Sequence, residues 1–319
     1  MTRYIATLGL LFSLLSATRS YATTWDEPWA EKVIRQSNSF VLAQVISCDE
    51  EKGIRIRVIR TLGGQELKDT LLISGFYSLL ICSSSGGHGP EFHTRKVDSC
   101  YFFIGRNKEN EYAIATPTTG FDYVLQGNVM ATYRHSYHKA SVPVPVYEKT
   151  MTAIFNHYHG LAYDTAYIRN FVNTWLSKPI AGFDKSEINT FFMQHAAMEC
   201  LYHLKLNAGE NLLLPFLANT AHFHNQVSAA RALSAVNTAS AKAELLKAIA
   251  DTTRQNFVRS VCAWSLSDLE PKELKKEVVK LAKEASAEGD DFGGNIMDPR
   301  VCTSIPSPKK ILKDLAAKL

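Results

Sequence analysis

The sequence predicts an α+β chain of several domains, a small β half followed by a stack of short helices. Three observations carry that prediction. Apolar and polar residues alternate over residues 53–58, the period of a half-exposed strand. From about residue 150 onward the apolar residues return every three or four positions, the period of a helix. Within that second half, a helix-turn-helix pattern recurs at a fixed spacing.

The chain opens with Arg3, the apolar run "IATLGLLFSLLSA" (5–17) and then Ser20-Tyr21-Ala22. A charged start, a short apolar core and small residues two apart describe a cleaved secretory signal over residues 1–22. The run is shorter than the roughly 20 residues of a membrane span, so no membrane span is expected. Removing residues 1–22 deletes Arg3 and Arg19 and takes the formal charge from +4 to +2. So mild a charge calls for neither nucleic acid nor an anionic membrane as partner. All six cysteines (48, 82, 100, 200, 262 and 302) remain after that cut. The expected localisation is periplasmic or secreted, where disulfides persist.

Residues 23–140 read as the β domain. A short helix should open it, with Asp26 as cap, Pro28 in the first turn and Trp25, Trp29 and Val33 on one face. "FVLAQVIS" (40–47) is rich in β-branched residues. "GIRIRVIRTLGG" (53–64) sets Ile54, Ile56 and Val58 against Arg55 and Arg57 and ends in a glycine pair. "TLLIS", "YFFIG", "EYAIA" and "NVMATY" follow with turn residues between them. So many short strands in so little chain suggest a sandwich or small barrel.

"SVPVPVYEK" (141–149), with two prolines in an extended segment, reads as a linker, and residues 150–286 read as the helical domain. Tyr167, Ile168, Phe171, Val172, Trp175 and Leu176 mark the core face of one helix. Ala196, Val227 and Val258 then stand 31 residues apart. Four positions after each come Cys200, Arg231 and Cys262, and a second amphipathic stretch follows each unit: "ENLLLPFLA", "KAELLKAIA" and "KELKKEVVKLA". Helix pairs of this kind bury their apolar faces by stacking. Arg231 breaks the pattern of small residues in the middle unit. Residues 287–319 read as an irregular tail closed by a short helix carrying Ile311, Leu312 and Leu315.

The order "SFVLAQVISC", "IRIRVIRTLGG", "LLISG", Cys82, "YFFIG" resembles the netrin/TIMP-like module over about residues 30–135. That resemblance implies an OB-type five-stranded barrel. In the metalloproteinase inhibitors of that family a mature N-terminal cysteine chelates zinc. Here the expected terminus is Thr23-Thr24-Trp25, so that chemistry is not carried over. The helical period and "VRSVCAWSL" (258–266) resemble HEAT-type repeats, which implies a short helical solenoid.

The stretch "ICSSSGGHGPEFHTRKVDSCYFFIG" (81–105) gathers two cysteines, two histidines and a run of three serines. "SSSGGHG" lacks the first glycine of a nucleophile elbow and opens no helix. Cys82, His88, His93 and Cys100 are zinc-type ligands, but at irregular spacing with no tight pair. A disulfide between Cys82 and Cys100 is the preferred reading, worth on the order of 3 kcal/mol by chain entropy, with Cys48 the alternative partner of either. His88, Glu91, His93 and Arg95 would then decorate a tethered loop that touches a partner. Cys200 and Cys262 sit two repeats apart, too far to bridge, and read as small buried residues. The pairs His135/His138, His157/His159 and His222/His224 read as surface or capping residues, with metal ligation as the alternative.

No catalytic motif, cofactor site or metal site follows from these residues. The expected function is a protein-binding module, an inhibitor or immunity-type protein that occludes its partner. The alternatives are a structural adaptor in an envelope assembly and a metal-binding protein built on the paired histidines.

Overall fold

The computed structural model describes residues 24–82, 91–95, 99–133, 139–207, 209–295 and 298–319. It is an α+β structure, with a many-stranded sheet in the first half and helices in the second. Strand β1 (Trp25–Asp26) precedes helix α1 (Ala30–Gln36). The helix starts later than expected and Asp26 does not cap it. Trp25 is fully buried and bridges Ile81 on one side and Val301 on the other, which holds residues 25 and 26 extended.

Strands β2 (Ser39–Asp49) and β3 (Gly53–Gly64) form the long hairpin that the alternation predicts. Ile54 and Ile56 are fully buried, while Arg55 and Arg57 are exposed. Glycine is required at both ends of β3. Gly53 has φ +112° and a Cβ there would lie 2.0 Å from the Ile73 carbonyl oxygen; Gly64 has φ +76° and would meet that of Asn38 at 2.1 Å.

Six more strands of the main sheet follow: β4 (Thr70–Ile73), β5 (Gly75–Phe76), β6 (Cys100–Arg106), β7 (Tyr112–Ile114), β8 (Phe121–Leu125) and β9 (Asn128–Ala131). Strand β10 (Ala140–Pro143) completes it. The main path runs β10-β9-β8-β6-β2-β3-β4, antiparallel at every step. Ser74 alone separates β4 from β5. β5 pairs in parallel with β7, and β7 pairs with the end of β6. Val41, Val45, Ile54, Ile56, Ile73, Phe102, Ile104 and Ile114 form an apolar core on one face of these strands.

The segment 141–149 is not a linker. It forms the end of β10 and the start of α2 (Val144–Tyr158), with Pro145 in the first turn, where a missing N–H costs nothing. Tyr147 in it is fully buried, because α2 packs across β3, β9 and β10. Phe40, Tyr101, Phe103, Tyr147 and Phe155 join the other face of the sheet to the helices in one continuous core.

Helix α3 (Thr165–Leu176) is capped by the Asp164 side chain and buries Ile168, Phe171, Val172 and Leu176 of the face read from sequence, while Tyr167 and Trp175 of that face are half-buried. Then come α4 (Ile188–Leu204), the five-residue α5 (Leu214–Ala218), α6 (Phe223–Leu233), α7 (Ala239–Ala250), α8 (Asn256–Asp268) and α9 (Lys275–Glu284). The repeat spacing falls on α4, α6 and α8, which pack successively against one another. Cys200 and Cys262 are buried free thiols, as their small-residue positions suggest. Burial pushes the Cys262 thiol up to about 12.

The tail is more ordered than its composition suggests. β11 (Asp290–Asn295) and β12 (Asp298–Ile305) form an antiparallel pair, and β12 runs parallel to β1. Helix α10 (Pro308–Lys318) buries Ile311, Leu312 and Leu315 and packs beside α8 and α9. No described helix is long and apolar enough to cross a membrane.

Candidate functional site

Among the described residues, those singled out in 81–105 do not converge on one site. Residues 83–90 and 96–98, which include His88, lie outside the described residues, as does the pair His135/His138. Cys100 is a fully buried free thiol, and its Sγ donates to the Asp122 carbonyl at 3.3 Å. The expected bridge from Cys82 to Cys100 is therefore not made. The reason is direction: Cys100 shares the apolar sheet core with Phe102 and Ile104, whereas the Cys82 sulfur lies 3.8 Å from the Asp26 carboxylate. Burial raises the Cys100 thiol well above the ordinary range, which leaves it inert.

The stretch Glu91–Arg95 is held down at its centre. Phe92 is buried against Phe76 with ring centroids 4.4 Å apart, and its N–H donates to the Glu50 carbonyl. Thr94 and the Arg95 N–H meet the Tyr123 hydroxyl, both at 3.1 Å. Glu91 and His93 stay partly exposed on this tethered segment. No group of three or more metal-ligating side chains occurs among the described residues.

The remaining histidines have packing roles. His159 Nε2 donates to the Ile34 carbonyl at 3.0 Å, and its ring stacks on Phe155. Burial, with Arg35 and Lys205 nearby, lowers the pKa of His157, so its ring at the end of α2 is biased to the neutral form.

A charged cluster, missed by sequence reading, lies where α1 meets α4 and α6. Arg231, the residue that breaks the repeat, reaches Glu199 with its Nε at 3.2 Å and a terminal nitrogen at 3.1 Å. The same nitrogen stands 3.7 Å from Glu31 of α1, and the guanidinium lies 3.8 Å above the Tyr202 ring. Tyr202 donates its hydroxyl to Glu31 at 3.0 Å. Burial pushes the Glu31 carboxyl up, but Arg231 and these hydrogen bonds outweigh it and leave the pKa lowered. Burial likewise works against the Arg231 charge, and Glu199 and Glu31 more than restore it.

One turn along α4, His203 is fully enclosed. Its Nε2 donates to the Tyr133 carbonyl at 2.6 Å and its Nδ1 accepts from the Tyr158 hydroxyl at 2.9 Å. The Tyr133 carbonyl places a proton on Nε2. Burial and Arg231 lower its pKa against the pull of Glu31 and Glu199. The arrangement is structural in character: Arg231 pairs with Glu199 and Glu31, and both ring nitrogens of His203 are hydrogen-bonded. The sequence signal was Arg231 itself, a long cation where its equivalents are cysteines.

The accessible candidate is a groove of about 430 Å³ at the turns between repeats, lined by Phe183, Thr220, His222, His224, Arg254 and Gln255 among others. Phe183 is a large apolar side chain left 46% exposed. It rests against Phe191 at 4.5 Å and meets His222 and His224 edge-on, each at 5.3 Å. Buried amides hold the loop that carries it. Gln194 accepts from the Ala181 N–H at 3.0 Å and donates to the Pro179 carbonyl at 2.8 Å, while Asn225 donates to the Ala181 carbonyl. The N-termini of α6 and α8 begin at the groove, with no side-chain cap at His222 or Gln255, so their positive dipole ends face it. Arg254 is anchored at its edge by Asp251 and the Leu217 carbonyl.

No family model, curated protein or solved structure matches this chain.

Proposed function

We propose that this protein is a secreted or periplasmic protein-binding module, acting as an inhibitor or immunity-type protein that occludes its partner. The observation that carries the reading is Phe183, a half-exposed aromatic held on a loop that buried Gln194 and Asn225 immobilise. A rigid aromatic anchor beside an arginine is the usual centre of a binding hot spot. The uncapped helix ends and Arg254 favour an acidic segment of the partner in the groove.

The scaffold reading is that of an OB-type barrel followed by a HEAT-like solenoid. The circuit of pairings β2–β3–β4/β5–β7–β6 and back to β2 supports the first. The successive packing of α4, α6 and α8 supports the second. The netrin/TIMP-like resemblance stays a sequence likeness beside it.

The test is a pull-down with the full chain against the envelope and secreted proteins of its source. A stoichiometric partner lost on Phe183→Ala and retained on Arg57→Ala, with both variants melting like the parent, is the expected result. Absence of any stoichiometric partner, or equal capture by both variants, overturns the proposal. Loss of the partner's activity on binding indicates occlusion; retained activity indicates the adaptor role instead.

A further inference from the structure

The six cysteines of the chain divide sharply. Cys48, Cys100, Cys200 and Cys262 are free thiols, whereas Cys82 is disulfide-bonded. Four of its five potential partners are thereby removed. We infer that Cys82 is joined to Cys302, so that one covalent bond ties the C-terminal hairpin to the β half.

The backbone register brings both residues to the same two-residue strand. On one edge of β1, the Cys82 N–H donates to the Thr24 carbonyl at 3.0 Å and Ile81 bridges Trp25. On the other edge β12 runs parallel, with Asp26 as the register partner of Cys302. Asp26 is thus the residue at which the two approaches meet, since its Oδ1 lies 3.8 Å from the Cys82 sulfur. The junction is well packed, with Trp25 fully buried and Val301 1% exposed.

In forming the bond, the Cys82 and Cys302 thiols lose two protons and two electrons as one S–S bond is made. The electrons pass by thiol–disulfide exchange to the disulfide of a dithiol oxidoreductase in the oxidising compartment, which leaves as two thiols. The bond does not close a local loop in the sheet. It anchors β11 and β12, and through them α10, to a point near the start of the described chain.

The test is peptide mapping of the full chain, exported to an oxidising compartment, unfolded in denaturant without reductant in the presence of a maleimide at mildly acid pH, and then digested. A linked peptide pair joining Cys82 to Cys302, with Cys48, Cys100, Cys200 and Cys262 alkylated, is expected. A link from Cys82 to any other cysteine, or six alkylated thiols, overturns the inference. Stability supplies the second readout. Cys82→Ser and Cys302→Ser should each lower Tm by the same amount, roughly 5–15 °C, and the double variant no further. Dithiothreitol should lower Tm of the parent and of neither single variant. Unequal losses, or a single variant still sensitive to reductant, count against the bond.

Discussion

The core inside the sheet and the core between the helices hold their neighbours by different physics. Val41, Val45, Ile54, Ile56, Phe102 and Ile114 make the first from apolar contact alone, which is strong but carries no direction. The second buries Gln194, Glu199, His203, Asn225 and Arg231 among its apolar residues. Arg231 pairs with Glu199 and Glu31 in only one geometry, so α1, α4 and α6 meet in one register. An apolar core tolerates adjustment; a buried ionic one transmits any loss in full.

The largest expected effect comes from breaking the ionic core. Arg231→Met leaves Glu199 and Glu31 without their cation and should cost about 3–5 kcal/mol in urea unfolding. Adding Glu199→Gln should recover part of that loss. Ile56→Val in the sheet core, by contrast, should cost only about 0.5–1.5 kcal/mol. If the two substitutions cost the same, the two cores do not differ in kind.

The next effect is one of pH. The folded pKa of His203 lies below its ordinary value near 6.5. As pH falls past that value the unfolded chain takes up the proton first, so stability is full above about pH 6.5 and declines through the folded pKa. Glu31, whose pKa is also lowered, adds a further loss in the carboxylate range. Asp122 acts in the opposite sense. Burial raises its pKa, so its contribution is present at acid pH and lost as pH rises through the folded value. His203→Gln should flatten the decline between pH 7 and 5 in melts over that range. An unchanged slope would assign the decline to other groups, His157 first among them.

The smallest effect tests the seam between the two cores. Arg60 pairs with Glu148 across the sheet–helix boundary with its own side chain 54% exposed. Arg60→Ala should cost less than about 1 kcal/mol, and the cost should shrink further in high salt. A cost equal to that of Arg231→Met would mean that burial is not what separates the two pairs.

Much of this fold was legible in the sequence where one face of an element meets water. Strand β3 shows Arg55 and Arg57 outside and Ile54 and Ile56 inside, and α3 shows its stripe. Elements buried on both sides, or short and polar, gave no such signal. β8 and β10 were missed, and the acidic, glycine-rich tail hid β11 and β12. The disulfide reading failed for a related reason. Cys100 ends up facing the sheet core beside Phe102 and Ile104, but Tyr101 and Phe103 on its other face are buried too, so alternation could not say which way the sulfur points. At the ionic core, the irregularity of Arg231 was visible, but Glu31 comes from so distant a segment that no local pattern connects the two. The groove at Phe183 depends on loops pinned by Gln194 and Asn225, contacts between segments that carry no spacing rule.

The parallel pairing of β1 with β12 has a consequence for biosynthesis. Trp25 is among the first described residues to leave the ribosome and Val301 among the last, yet each is register partner to the other. Until that late strand emerges, the Trp25 backbone is paired on its Ile81 side alone. Contacts this far apart in sequence are slow to close. A chain made in this order leaves the β1 edge open through most of its translation. That edge is covered only when nearly the whole chain is present.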